Sequence, residues 1–375
     1  MFSYYFTPQY SGAALQAISL ARKLREKDVG VFFLTVNHDD LPDTDKVEDF
    51  KVYRIKEGKG RFGELLLWKN MLRVLWHQKD EFDIIHSHGA YLKNSFVGPV
   101  AKLLRKKSLV KVSLAHNDLQ MLGKGKGGWL HKRFISLVDG YISISKEITG
   151  EFKAHGFPEE KVREIPNGVD IQKFHPAGIE EKLILRRKAG LPEISPMLLY
   201  VGVIDERKNV KWLIESWISF CLNYSGYLVI VGPVSREDKD LSLYNSLKTY
   251  EGKLKNKLFF IQYTDRIEDY YKMADIFILP STNEGMPNVI LEAMSTGLAC
   301  LVNKVSGAED VINGKNGMLF DAQKPHTFIN GLLKLRKESI RYELGKVARE
   351  NIIRDYSIEC IAEKYINLYE EILKG

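Results

Sequence analysis

Ile276-Phe277-Ile278-Leu279-Pro280-Ser281-Thr282-Asn283-Glu284-Gly285-Met286-Pro287-Asn288-Val289-Ile290-Leu291-Glu292-Ala293-Met294 joins an apolar run, a polar turn and a helix start. The run Ile276–Leu279 is short, apolar and bounded by Ala-Asp and Pro-Ser, which predicts a buried strand. Pro287 suits the first position of a helix, where it has no N–H to lose, and Asn288–Thr296 continues that helix until Gly297 stops it. The amides of Asn288, Val289 and Ile290 then point out of the helix N-terminus, an arrangement that holds a phosphate.

Two carboxylates bracket this helix start, Glu284 in the turn and Glu292 about one turn inside the helix. Two glutamates on a surface are ordinarily just solvated. Here Glu292 lies one turn from Asn288 and Val289, on the face that carries the anion-binding amides. A carboxylate beside a diphosphate is repelled by it, so the useful partners of Glu292 are neutral hydroxyls such as those of a ribose. Glu284 could take sugar hydroxyls on the other side of the phosphates.

Outward from this stretch the second half of the chain alternates strands and helices. Strands are predicted at Met197–Gly202, Tyr227–Gly232, Leu258–Ile261, Ile276–Leu279 and Ala299–Asn303. Helices near Val210–Cys221, Leu241–Glu251, Ile267–Met273 and Asn288–Thr296 separate them. Such alternation predicts a parallel sheet covered on both faces. Asp205-Glu206-Arg207-Lys208-Asn209 follows the first of these strands and sets two cations at the sheet's carboxyl edge, either solvated or able to clamp a diphosphate.

The first half reads the same way. Met1–Phe6 is a short strand, Thr7–Gly12 a turn, and Ala13–Arg25 an amphipathic helix; Gly12 either permits the turn or lets backbone approach a phosphate. Val29–Val36 and Phe50–Ile55 are further strands around an acidic turn, His38–Asp49. Gly63–His77 is a helix whose apolar face (Leu65, Leu66, Trp68, Leu72, Leu75, Trp76) is read as core-facing, with membrane contact as the alternative. Phe82–Gly89 is a strand ending at His88, which either faces a cleft or is a structural histidine. Leu109–Leu114 is a strand with His116 at its end, where an imidazole could meet a sugar hydroxyl or a leaving group, or serve structurally. Lys124–Trp129 reads as a flexible basic loop. Asn167-Gly168, after the strand Lys161–Pro166, is a turn that marks a boundary: 1–166 forms one Rossmann-like domain, 167–355 a second, and 356–375 a separate amphipathic helix.

Composition narrows the class. With 375 residues, 45% of them hydrophobic, the chain can bury two full cores, and no apolar run approaches a membrane span. Cys221, Cys300 and Cys360 are scattered, without a Cys-x-x-Cys, which fits core thiols in a reducing cytoplasm and argues against structural zinc. The net charge is +7, and all of the excess lies before residue 166. Tyr91–Ile135 carries many Lys and Arg but a single acid, Asp118. That is a solvated face or a surface for anionic headgroups or an anionic acceptor. It lacks the aromatic ladder and the binding module expected of a nucleic-acid partner.

Ser-x-x-Glu-Gly-Met-Pro-Asn-Val-x-x-Glu-Ala-Met, with its Glu-x7-Glu, resembles the nucleotide-sugar motif of the family 4 retaining glycosyltransferases. The resemblance extends to Asn167-Gly168-Val169-Asp170 with Phe174 and Pro176, to Val305–Val311 and Gly314–Phe320, and so covers nearly the whole chain. It implies a GT-B architecture, two facing Rossmann-like domains with the last helix crossing back to the first. It also implies transfer of a sugar from a UDP- or GDP-sugar to a glycan or lipid-linked acceptor, with retention and without a metal or other cofactor. The basic first half adds the expectation of a cytoplasmic enzyme, with a peripheral position at the inner face of the membrane as an option, in envelope polysaccharide, lipopolysaccharide or glycolipid assembly. Under it Lys208 and Arg207 stabilise the leaving diphosphate, Glu284 holds the donor sugar, His116 approaches that sugar from the other domain, Glu292 binds ribose, and Gly12, Met286, Pro287, Asn288 and Val289 complete the donor site. The base would be read near Ile261–Tyr263. The chain departs from the pattern in two places. Ser11 replaces the first glycine of the N-terminal loop, and Val203 stands where an arginine is common, so that Arg207 would act from the neighbouring position. The two Asp-x-Asp triplets, Asp43-Thr44-Asp45 and Asp238-Lys239-Asp240, sit in charged loops and read as solvent-facing rather than as metal ligands. The alternatives are a nucleotide-sugar epimerase on the same fold, separable because it needs no acceptor, and a non-catalytic subunit that keeps the fold.

Overall fold

The computed structural model describes the 375-residue chain apart from residues 10, 59–62, 121, 123, 194–195, 222–223, 235–237, 255 and 263 and the side chains of 125–126 and 238–240. It divides into two compact units, Met1–Gly168 with Ile358–Gly375, and Val169–Ser357.

The first unit is built on β1 (Phe2–Ser3), β2 (Phe33–Val36), β3 (Thr44–Val47), β4 (Phe50–Ile55), β5 (Ile84–His88), β6 (Lys107–Val112), β7 (Gly140–Ser143) and β8 (Val162–Glu164). Its helices are α1 (Gly12–Arg25), α2 (Gly63–His77), α3 (Leu92–Ser95), α4 (Val97–Leu104), α5 (Gly125–Ile135) and α6 (Lys146–Ala154). The sheet order is β3-β4-β2-β1-β5-β6-β7-β8. β1 is shared between two neighbours in parallel register, Phe2 against Leu34 and Ser87. From β1 the chain builds outward through β2 and β4, then returns to place β5 on the other side, so the sheet reverses direction between β1 and β5.

Several expectations are corrected here. The acidic turn His38–Asp49 contains β3, which pairs antiparallel with β4, so the sheet is not wholly parallel. Asp45, from the first Asp-x-Asp triplet, lies on that edge strand and pairs with Arg54 at 3.4 Å. Lys124–Trp129 is not a loop: α5 starts at Gly125. The buried stripe of α2 is Leu67, Trp68, Met71 and Leu75, while Leu65, Leu66 and Trp76 are exposed. At 100° per residue the first four cluster on one side, and the other three fall well away from it.

The second unit contains β9 (Met197–Val201), β10 (Tyr227–Val231), β11 (Leu258–Ile261), β12 (Ile276–Leu279), β13 (Ala299–Asn303) and β14 (Met318–Phe320), with α7 (Ile179–Lys188), α8 (Val210–Cys221), α9 (Asp238–Lys253), α10 (Ile267–Met273), α11 (Asn288–Ser295), α12 (Ala308–Val311), α13 (Pro325–Leu335) and α14 (Glu338–Asn351). Every strand pair is parallel, in the order β11-β10-β9-β12-β13-β14. All residues of β9, β10, β12 and β13 are buried, as strands covered on both faces require. Here the reversal falls between β9 and β12, which puts the loops after those two strands side by side at the switch point where doubly wound sheets bind ligands.

A π-turn, Ile352–Tyr356, ends the helical tail of this unit, and α15 (Ile358–Lys374) belongs to the first unit. Its Ile358, Ile361, Ala362, Tyr365, Leu368 and Tyr369 form one helical stripe that packs with Leu20, Leu24, Leu109 and Ile142. Beneath the stripe lies a buried basic cluster. His86 and His88 stack at 4.3 Å, His86 Nδ1 and the Tyr369 hydroxyl share a 2.8 Å hydrogen bond, and Lys111 Nζ lies 5.7 Å from the centre of the Tyr365 ring. His88 is therefore an interior residue and does not face a cleft. Burial pushes both imidazoles well below the usual histidine range and brings Lys111 down to about 7. Between pH 7 and the ordinary lysine value of 10.5 the unfolded chain then binds more protons than the fold, so stability rises with pH across that window. Urea unfolding at pH 7 and pH 9 checks this: the midpoint is expected to be higher at pH 9, and Lys111→Met to remove most of the difference.

No helix among the described residues is long and apolar enough to cross a membrane. Cys221 and Cys300 are buried free thiols, and Cys360 is partly exposed.

Candidate functional site

The strand, turn and helix at 276–294 form as read, with one shift at the helix start. Pro287 is the N-cap residue in extended conformation, not the first helical residue. The Ile290 amide is taken by the Pro287 carbonyl at 3.1 Å, which removes it from the set available to an anion. At the other end, Gly297 (φ +71°) donates to Met294 and Leu298 to Ala293, a Schellman stop. The turn is braced by close backbone approach: a Cβ on Gly307 (φ +69°) would lie 2.1 Å from the Gly285 carbonyl. Asn303 adds a bond from its side-chain amide to the Ser281 carbonyl at 2.9 Å.

The loop after β9 lies against this turn. Asp205 accepts from the Lys208 amide at 2.8 Å and sets that loop's shape, while the Asn209 side chain donates to the Pro280 carbonyl. Thr282 donates to the Arg207 carbonyl from both its backbone amide and its hydroxyl. Lys208 Nζ then sits 2.5 Å from Glu284 Oε1 and Arg207 Nη1 3.1 Å from Glu284 Oε2, so both cations close on one carboxylate that is only 7% exposed. Arg207 also donates to the Asn283 carbonyl at 2.8 Å. The Val203 carbonyl accepts from the Tyr200 hydroxyl, so the residue at the position where an arginine is common is tied into the backbone turn. One carboxylate faces two cations here, and a polyanion arriving would compete with it for both.

Glu292 faces α10. The Tyr271 hydroxyl donates to it at 2.7 Å; burial pushes its carboxyl up, and Tyr271 and Lys173 only partly oppose this. Two parts of this site carried no sequence expectation. Tyr271 was read only as part of a helix, and its contact with Glu292 has no local signal. Asp205, three residues before Lys208, has the spacing of an Asx turn and could have been singled out.

Two of the named residues lie in the first unit. Gly12 begins α1, whose N-cap Ser11 accepts from the Ala14 amide at 3.3 Å. The residue replacing the first glycine is thus a capping group. His116 (φ +57°) follows β6 in a turn closed by the buried Asp118, which accepts from the Ser113 amide at 2.8 Å. Its ring is held by α6, Nε2 at 2.6 Å from Glu147 and Nδ1 at 3.0 Å from Glu151. Carboxylates only accept, so both nitrogens engage at once only as the imidazolium. Ile261 ends β11, and Tyr263 lies outside the described residues. Asp238-Lys239-Asp240 begins α9, and its side chains are likewise outside them.

The fold is that of GT-B glycosyltransferases. The crystal structure of HepE from Anabaena in complex with UDP and glucose has a TM-score of 0.80 over 98% of both chains, at 17% identity. In sequence, an uncharacterised glycosyltransferase of Methanocaldococcus jannaschii is 25% identical over 96% of this chain and 94% of its own length. The UDP-Gal:alpha-D-GlcNAc-diphosphoundecaprenol alpha-1,3-galactosyltransferase of Escherichia coli is 29% identical over 79% of this chain and 77% of its own length. Residues 10–173 match the family described as Glycosyltransferase Family 4 and residues 181–354 the one described as Glycosyl transferases group 1. The chain belongs to this glycosyltransferase family.

Proposed function

We propose that the protein is a retaining, metal-independent glycosyltransferase that moves a sugar from a UDP- or GDP-sugar to a hydroxyl of a glycan or lipid-linked acceptor in envelope polysaccharide or glycolipid assembly. The observation that carries this is the closure of Lys208 and Arg207 on Glu284 beside the N-terminus of α11. On arrival of the donor, the two cations turn to the diphosphate, and the freed Glu284 accepts from the sugar hydroxyls. Charge developing on the leaving diphosphate is then met by fixed cations and the helix N-terminus, which is ordinarily a large catalytic term and needs no divalent ion to supply it. Retention follows if the acceptor attacks from the face the diphosphate leaves, with a phosphate oxygen taking the acceptor's proton. The names of the galactosyltransferase relative and of the HepE complex support a UDP-sugar and a lipid-linked acceptor. The excess of basic residues in the first half supports peripheral contact with an anionic membrane.

A thermal-shift panel of nucleotide-sugars tests the donor assignment, since a ligand at 100 times its Kd adds about 2.7 kcal/mol to the folded state. A panel in which no nucleotide-sugar raises the Tm would sink it. Glu292→Ala is expected to raise the donor's KM about tenfold with kcat little changed, the pattern of lost uniform binding, as suits a carboxylate hydrogen-bonded to ribose. An unchanged KM would refute the ribose role.

A further inference from the structure

The first unit has its own switch point, between β1 and β5, and four neighbouring strands deliver side chains to it from their carboxyl ends. Tyr4 and Tyr5 follow β1, His38 follows β2, Glu57 follows β4 and Lys93 follows β5. Tyr5 stacks on His38 with ring centroids 5.0 Å apart and planes 26° from parallel, and Tyr4 meets both rings edge-on at 4.9 and 5.1 Å. The backbone beneath is pinned: Ser3 Oγ donates to the Tyr5 carbonyl at 2.8 Å, and the His38 ring meets the Tyr4 carbonyl at 3.2 Å. Beside this shelf Glu57 takes both the Tyr4 hydroxyl and the Lys93 ammonium, and Lys93 also donates to the Tyr4 hydroxyl at 2.9 Å.

We propose that this cluster is an acceptor subsite that binds one pyranose ring, with Tyr5 under the sugar's C–H face and Glu57 and Lys93 on its hydroxyls. The proposal rests on the glycosyltransferase reading above. Tyr5 is 52% exposed, a large aromatic side chain left uncovered at a ligand-binding edge. Among the described residues, Glu57 retains unused lone pairs and Lys93 one unused N–H after their bonds to each other and to Tyr4, so the pair can accept from one sugar hydroxyl and donate to another. Burial pushes the Glu57 carboxyl up, and Lys93 and Tyr4 more than reverse this, so the pair stays ionised. One negative and one positive charge balance, which favours a neutral polyol over a phosphate or a cation. An aromatic face beside a paired donor and acceptor is the combination such a ligand needs, apolar on one side and polar at the edge.

Saturation-transfer NMR on the full chain, with the methyl glycosides of glucose, galactose, mannose and N-acetylglucosamine as probes, tests this. Ring C–H signals of at least one glycoside are expected to take up saturation, to weaken about fivefold in Tyr5→Ala, and to persist in Tyr5→Phe, which keeps the ring. Glu57→Gln should weaken the same signals, while the thermal shift given by UDP stays as in the parent. If a nucleotide-sugar raises the Tm and no glycoside takes up saturation, this subsite is wrong and the donor reading stands. Saturation that survives Tyr5→Ala, or that free uridine displaces, also overturns it.

Discussion

Lys208→Met lowers kcat for sugar transfer by about 10²- to 10³-fold, the loss that accompanies removal of one group aimed at developing charge. Lys208 Nζ is 2.5 Å from Glu284, and its amide is fixed by Asp205, so the ammonium is preorganised at the switch point. The methionine keeps the length of the chain and removes the charge. Arg207 still neutralises Glu284 at 3.1 Å, so the variant is expected to fold and to bind the donor within a few-fold of the parent. Steady-state kinetics with donor binding measured separately checks both halves. A kcat within a few-fold of the parent would show that the leaving diphosphate is stabilised elsewhere. Arg207→Met gives the complementary measurement, because Arg207 is the residue proposed to take the role of the arginine absent at Val203.

Asp275→Asn destabilises the second unit by about 3–5 kcal/mol, as expected for breaking a buried ion pair and stranding its partner. Asp275 accepts from Lys182 at 2.9 Å, from Arg186 at 2.8 Å and from the Met197 amide at 2.7 Å, and Arg186 is 0% exposed. Burial pushes this carboxyl up, but Lys182 and Arg186 outweigh burial and hold it at about 2, against 3.8 in the unfolded chain. The folded value is depressed, so the contribution is present above pH 3.8 and is lost as the pH falls through 2. Urea unfolding at pH 7 and at pH 2.5 should therefore separate parent and variant widely at the first and much less at the second. Equal midpoints at pH 7 would refute the claim. Asp275 precedes β12 and Met197 begins β9, so this network lies at the amino ends of the strands whose carboxyl ends carry Glu284 and Lys208. Catalysis below the unfolding temperature should be little affected, which separates this variant from Lys208→Met.

The elements that could be read directly are those whose type is set by the local order of residues. Ile276–Leu279, the helix that follows Pro287 and its stop at Gly297 needed only the local order of apolar, proline and glycine residues. The edge strand Thr44–Val47 was missed because its four residues are mostly polar and it is held only by pairing with Phe50–Ile55. The core stripe of Gly63–His77 was misassigned because apolar residues surround most of that helix, and only the packed neighbours select Leu67, Trp68, Met71 and Leu75. Lys124–Trp129 was misread because glycines that suggest a loop are carried into a helix by the residues after them.

The sequence by itself determined the alternating α/β class, the nucleotide-sugar motif around Glu284 and Glu292, and the presence of cations after the strand at 197–201. These depend on period, turn chemistry and short spacing, all encoded within one segment. Only the tertiary structure decided which charge meets which: Lys208 and Arg207 with Glu284, Tyr271 with Glu292, Arg186 and Lys182 with Asp275, Lys93 with Glu57. Ion pairs and hydrogen bonds between side chains tens of residues apart carry no periodic signature. Their partners are chosen by strand order, which brings the carboxyl ends of β9 and β12 together in one unit and those of β1, β2, β4 and β5 in the other.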